Sequence, residues 1–242
     1  MTSDVSINWG AVPTEMRPHL LQYRDLIQQL AGEHAVALTC FGAVSAGTFD
    51  PQRDAAANVL VLSQHDLQVL RALGEQGPKL GQYGIAAPWV MTPEYLRSST
   101  DTFPLELIEI QQNHVTLLGA DLFSELTFEP DDVRLACERE LKLALLHLQH
   151  GLLAAAGEEK RLDQLAHKIG TELVRTMRGL LWGKGHTEAL PARDVIQKVE
   201  STFNRPLGGV RQAADRYSRA SWETFESLYR DVEALSEIAD AG

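Results

Sequence analysis

The sequence predicts an α+β protein in which an α/β domain is followed by a bundle of helices. Two short apolar segments typical of buried strands, Ala35–Phe41 and residues 58–62 (NVLVL), flank a loop rich in small residues. From Glu129 onward strand signals disappear, and apolar residues recur every three or four positions, the period of an amphipathic helix. We therefore predict an α/β domain over residues 1–128 and a helical domain over residues 129–242.

The α/β domain alternates helix and strand signals. Residues 13–32 carry leucine and isoleucine at nearly helical spacing, which predicts a first helix. Residues 87–91 and 114–118 are further strand candidates because they are short and rich in apolar and β-branched residues. Thr92 followed by Pro93 is a strong helix start, since threonine can cap the helix and proline suits its first position.

The helical domain contains four apolar series at helical spacing. They cover residues 133–152, 162–177, 191–203 and 222–235. Several amphipathic helices joined by short connections predict a bundle.

Charge and composition exclude some classes of binding partner and some cellular locations. The formal charge of −11 disfavours nucleic acid, because an acidic surface repels phosphate backbones. No apolar run approaches the roughly 18 residues that a membrane span requires, and the first ten residues lack the basic and apolar segments of a signal peptide. Cys40 and Cys137 form no disulfide framework. We therefore expect a cytoplasmic protein that binds neither nucleic acid nor membranes.

The loop between the first two predicted strands, residues 42–54, has the layout of a phosphate-binding turn. Its backbone N–H groups could hold a phosphate, as glycine-rich turns do. The residues that lead from this loop into the next strand are Ala55-Ala56-Ala57.

This arrangement resembles the nucleotidyltransferase superfamily of the DNA polymerase β type, especially small bacterial members with a helical C-terminal domain. In that superfamily a Gly-Ser pair after the first strand holds the triphosphate of a nucleotide. An Asp-x-Asp pair at the start of the next strand and a third carboxylate from a later strand bind two divalent ions. The resemblance spans most of residues 35–155 and implies a mixed β-sheet in the first domain.

The resemblance implies four nucleotide-binding residues in the loop. Gly42 matches the first glycine of the superfamily, and Ala43 stands where the serine belongs, so that hydroxyl is missing. Gly47 and Thr48 match the second small-residue step of the loop.

In the same alignment, the positions of the two metal-binding aspartates are not acidic in this sequence. Aligned on the strand VLVL, the two aspartates fall on Ala55 or Ala56 and on Ala57 or Asn58. The nearest acidic residues are Asp54, which lies one or two positions too early, and Asp50 within the loop, and both are catalytic candidates.

A later segment resembles the part of the superfamily that carries the third carboxylate. It comprises residues 103–123 (FPLELIEIQQNHVTLLGADLF), and the matching group is Glu106 or Glu109. Residues 103–110 fit either a strand or a short helix. In a strand the two glutamates would face opposite sides, so only one could point at the site.

Three functions remain open. The first is a protein of nucleotidyltransferase fold whose two-metal site is degraded, so that it binds a nucleotide or a partner protein rather than catalysing efficient transfer. The second is an active nucleotidyltransferase that moves a nucleoside monophosphate from an NTP to a small molecule or protein, with Mg²⁺ held by Asp50 or Asp54 and by Glu106 or Glu109; Asp54 and Glu106 are its metal candidates. The third is a non-catalytic scaffold in which the helical domain forms a homodimer.

Overall fold

A computed structural model describes residues 7–215, 217–219 and 221–240. We expect no signal peptide in the first ten residues. Of these, residues 1–6 lie outside the described residues. The chain divides into two compact units. The first comprises residues up to Thr100 together with Glu109–Thr127, and the second comprises Asp101–Ile108 together with residues from Phe128 onward. Whether residues 1–128 and 129–242 behave as separate domains remains a prediction.

The first unit is built on a mixed four-stranded sheet. Its strands are β1 (Ala35–Phe41), β2 (Ala57–Leu62), β3 (Trp89–Met91) and β4 (His114–Gly119). They lie in the order β3-β2-β1-β4. β1 runs antiparallel to both β2 and β4, whereas β2 and β3 are parallel. The four strands predicted from the sequence and the mixed sheet are confirmed.

The two faces of the sheet differ because successive residues of a strand point to opposite sides. One face packs on helix α1 (Arg17–Ala31), which buries Leu20, Tyr23 and Ile27 at helical spacing. We call this face, to which β2 contributes Leu60 and Leu62, the helix-covered face. The other, which we call the second face, takes the alternate residues of each strand.

Short helices connect the strands of the first unit. They are α2 (Ala43–Ala46), α3 (Leu67–Glu75), α4 (Gly77–Gln82) and α5 (Pro93–Ser98), and a 3₁₀ turn (Gly32–His34) follows α1. The predicted helix start at Thr92 is confirmed, because its hydroxyl oxygen accepts a 3.1 Å hydrogen bond from the amide of Tyr95.

Residues 103–110, which fit two structures in the sequence, form a helix. Helix α6 (Pro104–Gln112) begins with proline, which suits a first helical position, and the amide of Leu107 donates to the carbonyl of Phe103 at 3.1 Å. Leu105, Leu107 and Ile108 are all buried. Glu106 and Glu109 therefore lie three residues apart on a helix, where such residues are neighbours, and not on opposite sides of a strand.

The second unit is helical apart from its connections. Its main helices are α7 (Pro130–Ala155), α8 (Glu159–Gly183), α9 (Ala192–Phe203), α10 (Gly208–Ala214) and α11 (Trp222–Asp240). The sequence patterns predict each of these except α10. Helix α10 approaches α11 so closely that a Cβ atom on Gly209 would lie 2.2 Å from the backbone nitrogen of Leu228. No helix in the described part of the chain has the length and apolar character needed to cross a membrane.

Candidate functional site

A compact turn follows β1, and we call residues 42–48 the Gly42 turn. Gly42 has φ +73° and ψ −142°, a conformation that only glycine adopts without strain. Its carbonyl accepts hydrogen bonds from the amides of Ser45 and Ala46 at 3.1 and 2.9 Å. These bonds stabilise the short helix α2. Four predicted nucleotide-binding residues, Gly42, Ala43, Gly47 and Thr48, therefore belong to one turn.

The far end of the turn is also fixed by the backbone. Gly47 adopts the left-handed conformation, and the carbonyl of Ala43 accepts hydrogen bonds from the amides of Gly47 and Thr48. A Cβ atom on Gly47 would lie 3.1 Å from the Cβ atom of Ala11, so the chain also approaches closely here. The turn is thus held in one conformation by its own hydrogen bonds and by a neighbouring segment.

Ser45 was not predicted as a site residue, yet it supplies the hydroxyl nearest to the start of the turn. Its Oγ lies 3.0 Å from the carbonyl oxygen of Gly42 and 2.8 Å from that of Asn113. The hydroxyl therefore ties the turn to the residue before β4. A serine in the phrase Ala43-Val44-Ser45 is the only sequence signal that could have indicated this role.

Asp50 and Asp54 form a local hydrogen-bonded loop. One carboxylate oxygen of Asp54 accepts from the amide of Asp50 at 2.8 Å, and the amide of Asp54 donates to the carbonyl of Asp50 at 2.7 Å. The Asp50 carboxylate accepts from the amide of Gln52 at 3.0 Å and lies 3.9 Å from the guanidinium of Arg53. Both carboxylates are therefore already engaged by their own loop.

The structure resolves which residues at the start of β2 share a face. Ala56 is buried on the helix-covered face, and its amide donates to the carbonyl of Gly84 at 2.7 Å. Asn58 is buried on the same face, where it meets Tyr23 of α1. Because side chains alternate along a strand, Ala57 lies on the second face, whereas Ala55 precedes β2. Ala55 is exposed and Ala57 is half-buried.

Asn58 is satisfied by three hydrogen bonds within the first unit. Its Oδ1 accepts from the Tyr23 hydroxyl at 2.9 Å, and its Nδ2 donates to the carbonyls of Ala56 and Ala86 at 3.1 and 2.9 Å. Burial raises the pKa of the Tyr23 phenol above its ordinary range, and the neighbouring Cys40 adds to this shift. Burial also raises the pKa of the Cys40 thiol to about 12. This corner is therefore an uncharged part of the core.

The strand beside the start of β2 carries an aromatic residue. Trp89 pairs with Val59 of β2 in parallel register, and the rest of β3 is Val90 and Met91. β3 thus contributes no acidic side chain to the second face. The indole of Trp89 meets the ring of Phe41 instead, with centroids 5.8 Å apart and planes inclined by 55°.

The two glutamates proposed as third carboxylates fall in different units. Glu106 belongs to the second unit, where its carboxylate accepts a 3.0 Å hydrogen bond from the guanidinium of Arg175. Glu109 belongs to the first unit. Within residues 7–215, 217–219 and 221–240, no three His, Cys, Asp or Glu side chains come together in a way that could hold a metal ion.

These residues do not fit a pair of Mg²⁺ ions. Mg²⁺ prefers octahedral oxygen ligands and sheds water reluctantly, and a two-metal site requires carboxylates that bridge ions about 3.5–4 Å apart. Methyl groups at Ala55 and Ala57 supply neither a ligand nor the charge that offsets a cation.

Comparisons with known proteins indicate the fold. No protein-family model matches the sequence, and no curated protein sequence matches it. The structure is similar to that of the spectinomycin adenyltransferase AAD(9) from Enterococcus faecialis, solved with ATP and spectinomycin, with a TM-score of 0.58 and 10% sequence identity. The match covers 93% of this chain and 99% of that one. The chain therefore has a nucleotidyltransferase-like α+β fold with a helical C-terminal region.

Proposed function

We propose that this protein binds a nucleotide, or another phosphorylated ligand, at the Gly42 turn without catalysing efficient nucleotidyl transfer. Under this proposal the turn keeps its role as a phosphate-binding element, and the two-metal chemistry is lost. Gly42, Ala43, Gly47 and Thr48 provide the contacts with phosphate through their backbone.

The observation that carries the proposal is the placement of Ala55 and Ala57. Ala57 lies on the face of β2 that does not pack on α1, and the exposed Ala55 precedes it at the spacing of the Asp-x-Asp pair. A methyl group at each position removes a metal ligand and one negative charge. Without that charge, the cations that stabilise the attacking and leaving oxygens of an in-line transfer have no anchor.

The other carboxylates offer poor replacements. Asp50 and Asp54 accept hydrogen bonds from amides of their own loop, and releasing them would leave those amides without partners. Glu106 forms an ion pair with Arg175, so binding a cation would require it to give up that partner. The active-enzyme alternative therefore needs at least two local rearrangements.

Two features support a phosphorylated ligand. The structural neighbour was solved with ATP, so the fold is compatible with nucleotides. The amides of Ala43 and Val44 open helix α2, and the first N–H groups of a helical turn have no partner within that turn. Such groups bind phosphate oxygens without a metal ion, as in other backbone anion sites.

Isothermal titration calorimetry of the full chain with ATP, with and without Mg²⁺, tests the proposal. We expect binding in EDTA whose affinity changes little when Mg²⁺ is added. Adenylyl transfer is then assayed with radiolabelled ATP and a panel of small-molecule and protein acceptors. Robust transfer that is abolished by Glu106→Ala, and not by the same substitution at the exposed Glu94, would contradict the proposed function.

A second candidate function, association between two copies of the chain, is favoured by one feature of α7. Leu135, Leu146 and Leu153 are 59%, 59% and 80% exposed, and their spacing of eleven and seven residues places them on one side of the helix. Light scattering should detect a dimer that Leu146→Glu dissociates and that Leu67→Glu, at an exposed leucine of α3, leaves intact. A monomer at high concentration contradicts this candidate.

A further inference from the structure

The second face of the sheet carries an aromatic pair directly beside the Gly42 turn. Phe41 is the last residue of β1 and immediately precedes Gly42, and it pairs with Ala57 of β2. Trp89 lies on the opposite side of β2, in register with Val59. The strand order therefore places β2 between the two rings.

The two rings meet above β2. Strands two apart in a sheet are separated by about 10 Å, yet the ring centroids of Phe41 and Trp89 are 5.8 Å apart. Both side chains therefore lean over the strand between them.

The two rings differ in exposure. Phe41 is almost fully buried and braces the indole from one side, whereas Trp89 is 41% exposed. A tryptophan held by a buried neighbour is a rigid apolar surface with little rotamer freedom to lose on binding. Its contact with Phe41, the residue directly before Gly42, places the indole beside the Gly42 turn.

We infer that Trp89 stacks against the base of the nucleotide and that this contact replaces the metal ions as the source of affinity. The inference rests on the proposed function, because it identifies how the same site recognises its ligand. The ligand class is a nucleoside phosphate, whose heteroaromatic base lies on the indole while its phosphates reach the backbone amides of the Gly42 turn. Neither contact requires a divalent cation.

Calorimetric titrations in EDTA with three probes test this inference. ATP contains base and phosphates, adenosine lacks the phosphates, and inorganic tripolyphosphate lacks the base. We expect Trp89→Ala to weaken the binding of ATP and of adenosine by about tenfold or more, the range observed when an aromatic side chain is removed from beneath a base. The affinity for tripolyphosphate should not change. Trp89→Phe should retain much of the affinity for ATP.

Trp222→Ala is the matched control. Trp222 is 52% exposed and also contacts a phenylalanine, Phe225, at 5.9 Å between centroids, but it belongs to the second unit. Its removal should leave all three affinities unchanged. Wild-type protein that binds ATP, with an affinity that Trp89→Ala does not alter, overturns the stacking inference and leaves the proposed function standing. Wild-type protein that binds none of the three probes overturns both.

A spectroscopic measurement covers the case in which Trp89→Ala does not fold. Tryptophan is replaced by 5-fluorotryptophan throughout, and the ¹⁹F resonances are assigned with Trp89→Phe and Trp222→Phe. Added ATP should shift the Trp89 resonance through the ring current of the base and leave that of Trp222 in place. A Trp89 resonance that does not move at saturating ATP contradicts the inference.

Discussion

The hydroxyl of Tyr23 donates a 2.9 Å hydrogen bond to Oδ1 of Asn58, and this contact fixes which face of β2 holds each residue. Asn58 thereby belongs to the helix-covered face, with its Nδ2 bound to two backbone carbonyls. The alternation of the strand then turns Ala57 to the second face. The hydrogen bond thus marks the side of β2 that packs on α1.

Replacing the amide of Asn58 with a carboxylate should destabilise the protein. In Asn58→Asp the group facing the carbonyls of Ala56 and Ala86 loses its two donors and gains a buried charge. We expect a loss of about 3 kcal/mol or more in the free energy of unfolding at pH 7, measured by urea denaturation. The loss should shrink at acidic pH, where protonation neutralises the introduced carboxylate and restores one donor.

Tyr23→Phe is the companion variant for that network. It removes only the hydroxyl and leaves Oδ1 of Asn58 buried without its donor, so we expect a smaller loss of about 1–2 kcal/mol. Equal stability of Asn58→Asp and the wild type at pH 7 would show that the Asn58 side chain faces solvent instead.

Gly42 should not tolerate a side chain, although space for one exists. No atom lies within 4 Å of a Cβ built on Gly42, so the penalty in Gly42→Ala comes from its backbone conformation alone. We expect a loss of about 1–3 kcal/mol in unfolding free energy and weaker binding of tripolyphosphate. Both are measured on the same preparation, by thermal denaturation and calorimetry.

Gly74→Ala provides the matched control for Gly42→Ala. Gly74 also has open space around a built Cβ atom but lies within helix α3, where alanine is favoured. This substitution should raise the free energy of unfolding by about 0.5–1 kcal/mol and leave ligand binding unchanged. Destabilisation of similar size in both variants would contradict the explanation based on backbone conformation.

Much of the sheet was predictable from sequence because its strands are buried and strongly apolar. β1 begins and ends where predicted, and the other three strands are shifted by at most two residues. Helix α10 was missed because its seven residues begin with two glycines, which gives no helical period to detect. Helices α2 and α4 were missed for the same reason, since they are short and lie in segments rich in glycine and alanine.

The candidate site was less predictable because it depends on side-chain direction. The sequence left two registers open for the Asp-x-Asp positions, and the face that each pair occupies follows from contacts between residues far apart in sequence, such as Asn58 and Tyr23. The aromatic pair of Phe41 and Trp89 was missed for a related reason. Their contact depends on the strand order, which no local pattern reveals.

The carboxylate of Asp121 should contribute to stability above pH 4 and lose that contribution in more acidic solution. Partial burial alone would raise the pKa of Asp121, but hydrogen bonds from Ser124, from the amide of Phe123 and from His114 outweigh it and lower the pKa to about 2. A carboxyl group whose pKa is lower in the folded state stabilises the protein above its ordinary pKa, and this stabilisation is lost as the pH falls from about 4 to about 2.

Asp121→Asn tests this pH dependence. Because the Asp121 side chain is 40% exposed, solvent screening limits the expected effect to about 1 kcal/mol. The difference in unfolding free energy between wild type and variant should be present at pH 5 and should decline toward pH 2, measured by urea denaturation at each pH. A difference that stays constant from pH 5 to pH 2 contradicts the role assigned to Asp121.

Introducing two carboxylates at the start of β2 should create a cation-binding site. In the double variant Ala55→Asp with Ala57→Asp, neither side chain enters the buried helix-covered face, because position 55 is exposed and position 57 is half-buried. We expect the variant to fold and its unfolding midpoint to rise with added MnCl₂, because an ion that binds only the folded state stabilises it. The wild-type midpoint should not respond to Mn²⁺.

The alternative pair of positions, Ala56 and Asn58, provides the comparison for that double variant. In the double variant Ala56→Asp with Asn58→Asp, the same two carboxylates at the same spacing point into the helix-covered face, where Ala56 and Asn58 are buried. Two charges buried in an apolar core cost several kcal/mol each, so this variant should unfold or lose most of its stability. Because both variants gain the same two carboxylates, net charge cannot explain a difference between them. Mn²⁺ binding by the second pair and not by the first would reverse the assignment of faces and remove the basis for a degraded metal site at Ala55 and Ala57.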